Sequence, residues 1–206
     1  MYQSSGFKKS KTMDELIQTY FDKLYTPFKA EITKTQTCDS DQTYGELYYY
    51  SVVKLLKYLT LKEKDHFLDI GSGLGKIVAQ TFLTTKVASS TGIEINEERH
   101  TIANSAKETL MQHLPDLFMN RKSLNIILGD FLKAEFHNIT VIYTSSIVFS
   151  FPLLQAMGEK INNMKSVQKV ASLRKLPNLD NFQLTDKIFL HGNWDYVACH
   201  IYTRVN

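Results

Sequence analysis

The stretch that decides the fold is His66-Phe-Leu-Asp-Ile-Gly-Ser-Gly-Leu-Gly75, followed directly by Lys76, Ile77 and Val78. Its apolar first half predicts a buried strand, and the residues after Gly75 have the pattern of a helix. A strand, a glycine-rich turn and a helix in this order expose backbone N–H groups at the helix N-terminus, where a negative group of a ligand can bind. The stretch therefore predicts a ligand-binding turn after the first strand of an α/β domain.

The spacing of the glycines decides between two classes of ligand. A dinucleotide fingerprint needs a glycine at position 76, where this chain has Lys76, and the glycines present are Gly71, Gly73 and Gly75. Asp69 precedes them at the strand end, where its carboxylate would repel a pyrophosphate but could accept hydrogen bonds from an ammonium group. S-adenosylmethionine has no phosphate and carries an ammonium, a carboxylate and a sulfonium. We therefore predict that this turn binds S-adenosylmethionine.

Further strand ends supply the rest of the predicted cofactor site. Glu94 ends the second predicted strand, 19 residues after Gly75, a distance typical of an acidic residue that binds ribose hydroxyls. Gly129-Asp130-Phe131 follows the third predicted strand. There Asp130 can accept a hydrogen bond from the adenine amino group, and Phe131 can cover the ring face.

Composition indicates one ordinary globular domain and excludes several classes of protein. The chain has 206 residues, 43% of them hydrophobic, and its net charge of +3 is too small to indicate direct nucleic-acid binding. The longest apolar runs are interrupted by serine and proline, so no membrane-spanning segment is expected. No Sec-type signal is visible, and we expect a cytoplasmic or nuclear protein.

The N-terminal part is predicted to be a helix and a loop. Thr12 to Glu15 form a capping box, and apolar residues at helical spacing run to Leu24. Residues 25–43 have no period and are predicted to be a loop. The stretch from Pro27 to Tyr44 is expected to fold over the cofactor as a lid and to become ordered on binding. Thr43 to Glu46 have the pattern of a second capping box, which predicts a second helix behind it. We thus divide the chain into an N-terminal helix and lid, 1–43, and a methyltransferase domain, 44–206.

From Phe67 onward, predicted strands and helices alternate, and a hairpin with a turn at 191–193 ends the chain. Such alternation predicts a doubly wound, mostly parallel sheet, to which the hairpin adds antiparallel strands. We therefore expect the α/β fold of the class I S-adenosylmethionine-dependent methyltransferases, with seven strands. The predicted strands are 66–70, 90–95, 124–129, 139–145, 169–173, 187–190 and 196–204, and the helices are 74–86, 96–113 and 151–164.

The end of the fourth predicted strand indicates the methyl acceptor, because in this fold it faces the methyl group. Residues 144–150 read Thr-Ser-Ser-Ile-Val-Phe-Ser. They lack the Asn/Asp-Pro-Pro-aromatic sequence of enzymes that methylate nucleobase amino groups and the Pro-Cys nucleophile of cytosine-C5 enzymes. No set of Asp and Asn ligands suits a metal-dependent O-methyltransferase, so no metal is expected.

Several motifs together resemble the disruptor-of-telomeric-silencing family, the non-SET histone H3 lysine methyltransferases. The resemblance spans residues 25–204. The family's paired asparagines are Ser145 and Ser146 here. The matching segments, in chain order, are Tyr44-Gly-Glu46, Phe67 to Gln80, Gly92-Ile-Glu94, Gly129-Asp-Phe-Leu132, Val141 to Phe149, Met164-Lys165 and Trp194 before the last strand.

The resemblance implies S-adenosylmethionine as cofactor, a protein substrate that presents a lysine, and an apolar channel that admits the lysine as a neutral amine. It assigns catalytic or channel positions to Ser145, Phe149, Trp194 and Tyr196. The expected cofactor-binding residues are Tyr44, Glu46, Asp69, Gly71, Ser72, Gly73, Gly75, Gln80, Glu94, Asp130, Phe131 and Ser145.

Three functions stay open at this point. The first is a protein lysine methyltransferase, with a histone or another protein as substrate. The second is a methyltransferase that acts on a small molecule or a nucleic acid. The third is a protein that binds the methyl donor without turnover, which is suggested by the serines at positions 145 and 146.

Overall fold

The structure is a computed structural model that describes residues 12–28, 45–119 and 122–205. Tyr44 and nearly all of the predicted lid lie outside the described residues, so the lid stays a prediction. The N-terminal helix begins at Met13 as predicted, because the capping box of Thr12 and Glu15 forms in full.

The described residues form six α-helices and seven strands. The helices are α1 (Met13–Leu24), α2 (Tyr49–Leu59), α3 (Lys76–Thr84), α4 (Glu97–His113), α5 (Asp116–Met119) and α6 (Phe151–Asn163), and a 3-10 turn spans Thr26–Phe28. The strands are β1 (His66–Ile70), β2 (Ser89–Glu94), β3 (Ser123–Leu128), β4 (Val141–Thr144), β5 (Lys169–Ser172), β6 (Phe182–His191) and β7 (Tyr196–Arg204).

All seven strands belong to one sheet in the order β3-β2-β1-β4-β5-β7-β6. The first five strands pair in parallel, and β7 pairs antiparallel with both β5 and β6. This is the predicted fold, including the antiparallel hairpin at the C-terminus. The chain leaves β1 in one direction for β2 and β3 and returns to β4 on the other side. Ligands of such sheets bind at this switch point, outside the carboxyl ends of the strands.

The core is built by the alternation of side chains along the strands. Leu68 and Ile70 of β1 pack in a cluster with α6, whereas Phe67 packs in another cluster with α2. This alternation is the two-residue period expected of a strand that is covered on both faces. A third cluster joins α1 to α3 and α4, and Phe21 of α1 is buried in it. Helix α1 is therefore packed onto helices that cover the sheet.

Two expectations about local structure were wrong or incomplete. The second helix begins at Tyr49, with Tyr48 as its N-cap and no side-chain cap, so the capping box predicted to end at Glu46 does not start it. Glu46 instead pairs with Lys76. Strand β6 has 10 residues rather than the four predicted, because its exposed residues at the sheet edge carry no apolar period. None of the described helices is long and apolar enough to cross a bilayer.

Candidate active site

Two neighbouring cavities open at the carboxyl ends of the parallel strands. The large cavity, about 300 Å³, is lined mainly by α6 and by residues at or just beyond the carboxyl ends of β1 to β4, among them Ile93, Phe131, Val148, Leu153 and Met157. The polar cavity, about 40 Å³, is lined mainly by polar side chains, namely Glu46, Asp69, Ser72, Lys76, Tyr143 and Ser145. Gly45, Gly71 and Ser145 line both, so the cavities form adjoining parts of one site.

The glycine turn after β1 brings the backbone close to both cavities. Gly71 has a φ of +73°, and a Cβ there would lie 2.9 Å from Cζ of Phe149. The amides of Gly71 and Ser72 donate to the carbonyl of Ile93, at 2.9 and 3.0 Å. A left-handed turn pressed against an aromatic ring requires glycine at this position.

Glu94 at the end of β2 is held by the backbone. One carboxylate oxygen accepts from the amide of Gly73 at 2.7 Å, and the other accepts from the amide of Asn96 at 2.9 Å. Asn96 caps α4 as predicted, because its side chain accepts from the amide of Arg99. Glu94 therefore faces the large cavity in a fixed orientation, with lone pairs left for ribose hydroxyls.

Asp69 has a different environment, although it also ends a strand. It is only 3% exposed, and its Oδ1 atom has no hydrogen-bond partner among the described residues. Burial, together with the nearby charge of Glu94, raises the pKa of the Asp69 carboxyl well above its ordinary value. A buried acceptor without a partner is a place where a ligand's ammonium group would bind favourably.

Glu46 and Lys76 form an ion pair in the wall of the polar cavity. The Lys76 ammonium lies 2.6 Å from Oε2 of Glu46 and 5.1 Å from the ring centroid of Tyr25. The other carboxylate oxygen of Glu46 is buried and has no partner among the described residues. The pair therefore joins the segment before α2 to the first residue of α3, and Oε1 of Glu46 remains available as an acceptor.

Asp130 and Phe131 lie where the sequence predicts them, beyond the end of β3. Both line the large cavity, and Phe131 is buried with its ring stacked near Phe136. Oδ1 of Asp130 accepts from the amide of Leu132, which fixes the carboxylate beside the cavity. The pair offers an acceptor and an aromatic face for a purine.

The two serines after β4 have separate positions. Ser145 lines both cavities, whereas Ser146 is fully buried. The Ser146 hydroxyl bonds that of Ser172 at 2.8 Å and accepts from the amide of Arg174 at 3.0 Å. Ser146 thus ties β4 to β5, and only Ser145 can contact ligands in these cavities.

The remaining predicted residues lie at varying distance from the cavities. Gln80 is buried, and its amide donates to the carbonyl of Tyr49, so it joins α3 to α2 and lines neither cavity. Gly75 caps α3 next to Ala103. Trp194 packs so closely on Gly45 that a Cβ there would lie 2.6 Å from its ring.

Tyr196 is 67% exposed and stacks on His191, with ring centroids 4.2 Å apart. Among the described residues, Trp194 and Tyr196 contribute to neither cavity wall. Trp194 therefore borders the site through Gly45, and Tyr196 lies outside it.

Sequence reasoning missed several residues that line the site. Lys76 and Tyr143 line the polar cavity, and Arg99 lines the large one. Tyr143 pairs in register with Asp69 across β1 and β4, so their side chains lie on the same face of the sheet. Tyr143 stands one residue before the end of β4, as Asp69 does in β1, and this shared position was the available signal.

The observed residues fit S-adenosylmethionine. The large cavity combines apolar walls with the acceptors Glu94 and Asp130, which suits an adenosine. The polar cavity offers unpartnered buried acceptors, which suit an ammonium. No cluster of three potential metal ligands occurs in the part of the chain that the structure describes.

Several solved structures with the same fold are described as methyltransferases. A putative RNA methyltransferase from Pyrococcus horikoshii superposes on 96% of this chain and all of its own, with a TM-score of 0.60 and 13% identity. TrmK of M. capricolum, solved with S-adenosyl-homocysteine, covers 77% of this chain and 70% of its own, with a TM-score of 0.55 and 15% identity. The chain therefore has the class I methyltransferase fold.

The chain belongs to the family of the histone methylation protein DOT1, whose family model matches residues 27–189. It is 24% identical over 166 residues to the H3 lysine-79 specific histone-lysine N-methyltransferase of Caenorhabditis elegans. It is 27% identical over 172 residues to the enzyme of the same description from Drosophila melanogaster. These matches cover 78% and 81% of this chain but only 18% and 9% of the relatives. The family resemblance read from the motifs is thus confirmed.

Proposed function

We propose that the chain transfers a methyl group from S-adenosylmethionine to the side-chain amine of a lysine in a protein substrate. The observation that carries the proposal is the site itself, in which two strand-end acceptors and an apolar cavity meet Ser145 within a member of the DOT1 family. The relatives named as histone-lysine methyltransferases support a lysine as acceptor and a histone as the first substrate to test.

The predicted roles of the residues follow from their positions. Glu94 and Asp130 would hold the adenosine, Phe131 would cover the base, and Asp69 would receive the ammonium. When bound, the cofactor supplies a methyl group that its sulfonium activates toward a nucleophile. Tyr44 and residues up to 43 stay predicted contributors outside the described part of the chain.

The lysine must reach the methyl group as a neutral amine, although its ordinary pKa is about 10.4. Desolvation lowers the pKa of a lysine, and apolar side chains beside Ser145 provide it in the form of Val148, Phe149 and Leu153. The Ser145 hydroxyl can accept a hydrogen bond from the incoming amine and orient it. Rate acceleration would then rest on alignment and exclusion of water.

Two binding and transfer measurements test the proposal. Calorimetry should show that the chain binds S-adenosylhomocysteine and that it does not bind NAD appreciably. Labelled S-adenosylmethionine should then label a lysine in histones, nucleosomes or a cell lysate, with the residue located by mass spectrometry. Label only in nucleic acid or small molecules would replace the lysine assignment, and donor binding without any transfer would indicate a protein that binds the donor without turnover.

Phe149→Ala gives a sharper test of the acceptor side. Because Phe149 lies over Gly71 and lines the large cavity, its loss should lower the transfer rate more than the affinity for S-adenosylhomocysteine. Phe151→Ala is the matched control, since Phe151 is exposed two residues further along. If Phe149 is purely structural, the variant should lose roughly 3–5 kcal/mol of stability and keep its transfer rate.

If a histone is the substrate, the protein must reach chromatin. Its expected location, cytoplasmic or nuclear, therefore stays a prediction that imaging of the tagged chain would test. The division into an N-terminal part, 1–43, and a methyltransferase domain, 44–206, also stays a prediction.

A further inference from the structure

One lysine of α6 holds the turn that follows β3. The Lys160 ammonium donates hydrogen bonds to the carbonyls of Phe131 and Leu132, at 2.7 and 3.1 Å, and to the carbonyl of Ala134. An ammonium has three N–H donors, so these bonds use all of them. The ammonium also lies 5.0 Å from the ring centroid of Phe131. Lys160 thus binds the 130–134 turn, whose first three residues line the large cavity.

The turn satisfies its own amides but leaves its carbonyls to Lys160. The amides of Lys133 and Ala134 both donate to the carbonyl of Asp130, at 3.0 Å, and the amide of Leu132 donates to Oδ1 of Asp130 at 2.9 Å. A buried backbone carbonyl needs a donor as well, and here the lysine supplies it three times. The shape of the turn therefore depends on a residue of another element.

A single peptide group connects Lys160 to the Asp130 carboxylate. The carbonyl of Phe131 accepts from Lys160. The N–H of the same peptide group belongs to Leu132, and it donates to Oδ1 of Asp130. Because a trans peptide is planar, its C=O and N–H groups point in opposite directions and can only turn together. The ammonium at one end therefore fixes the direction in which the other end holds the carboxylate, and it strengthens the N–H as a donor by polarising the peptide.

A simple charge at the end of a helix is the competing explanation for Lys160. The residue lies in the last turn of α6, where a cation is favourable by itself. A lysine with that role alone would stay in solvent or bond the last carbonyls of its own helix. Lys160 is instead partly buried, and its three bonds reach residues 26 to 29 positions earlier in the chain. The contact is therefore directed at the turn beside the cavity.

We propose that Lys160 is a positioning residue for base recognition, which holds the peptide between Phe131 and Leu132 so that the Asp130 carboxylate selects a 6-aminopurine over a 6-oxopurine. A 6-amino group donates to a carboxylate, whereas a 6-oxo group presents it with a second acceptor. The inference rests on the proposed function, because that function assigns the adenosine to the large cavity.

The test compares two ligands that differ in the base. Calorimetry would measure S-adenosylhomocysteine and S-inosylhomocysteine, which carries hypoxanthine in place of adenine, with the wild type and with Lys160→Met. The wild type should prefer S-adenosylhomocysteine by about 10-fold to 100-fold, as expected for a hydrogen bond to a charged group. Lys160→Met keeps an unbranched side chain without donors, and it should reduce this preference by about fivefold or more, with the loss falling on S-adenosylhomocysteine.

Hydrogen exchange in the free protein supplies a readout that needs no ligand. The Leu132 amide should exchange faster in Lys160→Met than in the wild type, because its peptide has lost the ammonium that orients it. The Leu154 amide, which donates to the carbonyl of Ser150 within α6, should keep its rate. An unchanged rate at Leu132, or equal acceleration at both amides, would overturn the connection through the peptide.

Two further variants complete the comparison. Lys165→Met is the matched control, since Lys165 is exposed just beyond α6, and it should keep the wild-type preference. Lys160→Arg keeps the charge but presents a planar fork, which cannot direct three N–H groups at the carbonyls of one turn. Its preference should lie between those of Lys160→Met and the wild type, and it replaces Lys160→Met if that variant does not fold.

The contrary results separate this inference from the proposed function. Equal weakening of both ligands in Lys160→Met, or a wild-type preference there, would overturn the role of Lys160 while leaving the proposed function intact. If Lys160→Met does not fold, a wild-type preference in Lys160→Arg would overturn it in the same way. A wild type that binds both ligands equally would overturn this inference alone. Failure of the wild type to bind either ligand would overturn the proposed function and this inference with it.

Discussion

The large cavity and the polar cavity differ in how their carboxylates are satisfied. In the large cavity, both oxygens of Glu94 accept from backbone amides, and Asp130 accepts from the amide of Leu132. In the polar cavity, Asp69 and Glu46 each retain a buried oxygen without a partner among the described residues. The carboxylates of the large cavity therefore have hydrogen bonds before a ligand binds, whereas those of the polar cavity need a ligand to satisfy their remaining oxygens. Substitutions in the two regions should accordingly have opposite effects on the free protein.

The largest effect is expected at Gly71, which lines both cavities. Gly71→Ala would place a side chain at a φ of +73° and 2.9 Å from the Phe149 ring. We expect a loss of roughly 2–4 kcal/mol in the free energy of unfolding, from backbone strain and displacement of the ring. Binding of S-adenosylhomocysteine should weaken at the same time. Chemical denaturation and calorimetry measure the two effects.

Gly129→Ala is the control for Gly71, because Gly129 also lines the large cavity. A Cβ there would meet only Cδ1 of Ile93, at 3.8 Å, and its φ is not positive. Its stability should stay close to that of the wild type. Equal stability of the two variants would show that the turn at Gly71 adapts to a side chain.

Asp69→Asn should separate stability from binding. In the free protein the pKa of the Asp69 carboxyl is raised, mainly by burial and further by the charge of Glu94. Because the charged form is disfavoured there, replacing the carboxyl by a neutral amide should stabilise the free protein. Affinity for S-adenosylhomocysteine should fall by about 1.5–3 kcal/mol, because a hydrogen bond to a charged group is lost. A melting temperature that falls together with the affinity would contradict the assignment of Asp69 to ligand binding.

The same residue gives a pH dependence with a definite sign. Because the Asp69 pKa is raised on folding, the folded protein binds more protons than the unfolded chain between the two pKa values. The contribution of Asp69 to stability should therefore fall as the pH rises from the ordinary carboxyl range through the raised pKa. Asp69→Asn should remove this part of the slope, as measured by denaturation at several pH values.

Glu94→Gln should act in the opposite direction on the free protein. Glutamine has one acceptor oxygen, so its amide group would face either the N–H of Gly73 or that of Asn96. We expect the free energy of unfolding to fall by about 1–2 kcal/mol, the lower part of the range for an unsatisfied buried group. Stabilisation by this substitution would remove the contrast between the two cavities.

The smallest effect is expected for Tyr196→Ala, outside both cavities. Tyr196 is exposed and stacks on His191, so stability and donor affinity should change by less than about 0.5 kcal/mol. Methyl transfer to a protein substrate is the informative measurement. A transfer rate well below that of the wild type would place Tyr196 in the lysine channel that the family resemblance implies.

Local sequence alone determined the parallel strands, the last strand, two helix caps and the glycine turn. The parallel strands with the glycine turn and the last strand, Tyr196–Arg204, follow from short-range periods and turn residues, and the caps at Thr12 and Asn96 form as their neighbours predict. The motif order was enough to identify the family as well, because several of the motifs mark the ends of strands.

Tertiary structure alone decided which polar groups serve the site. Gln80 and Ser146 have the chemistry of ligand-binding residues, but contacts with Tyr49 and with Ser172 and Arg174 engage them in packing. Lys76 became part of the polar cavity through Glu46, thirty residues earlier in the chain. Whether a buried oxygen has a partner depends on residues distant in sequence, whose positions are fixed only when the sheet and helices pack. For that reason the sequence located the site, but only the fold determined which carboxylates are already hydrogen-bonded and which retain a buried oxygen for a ligand.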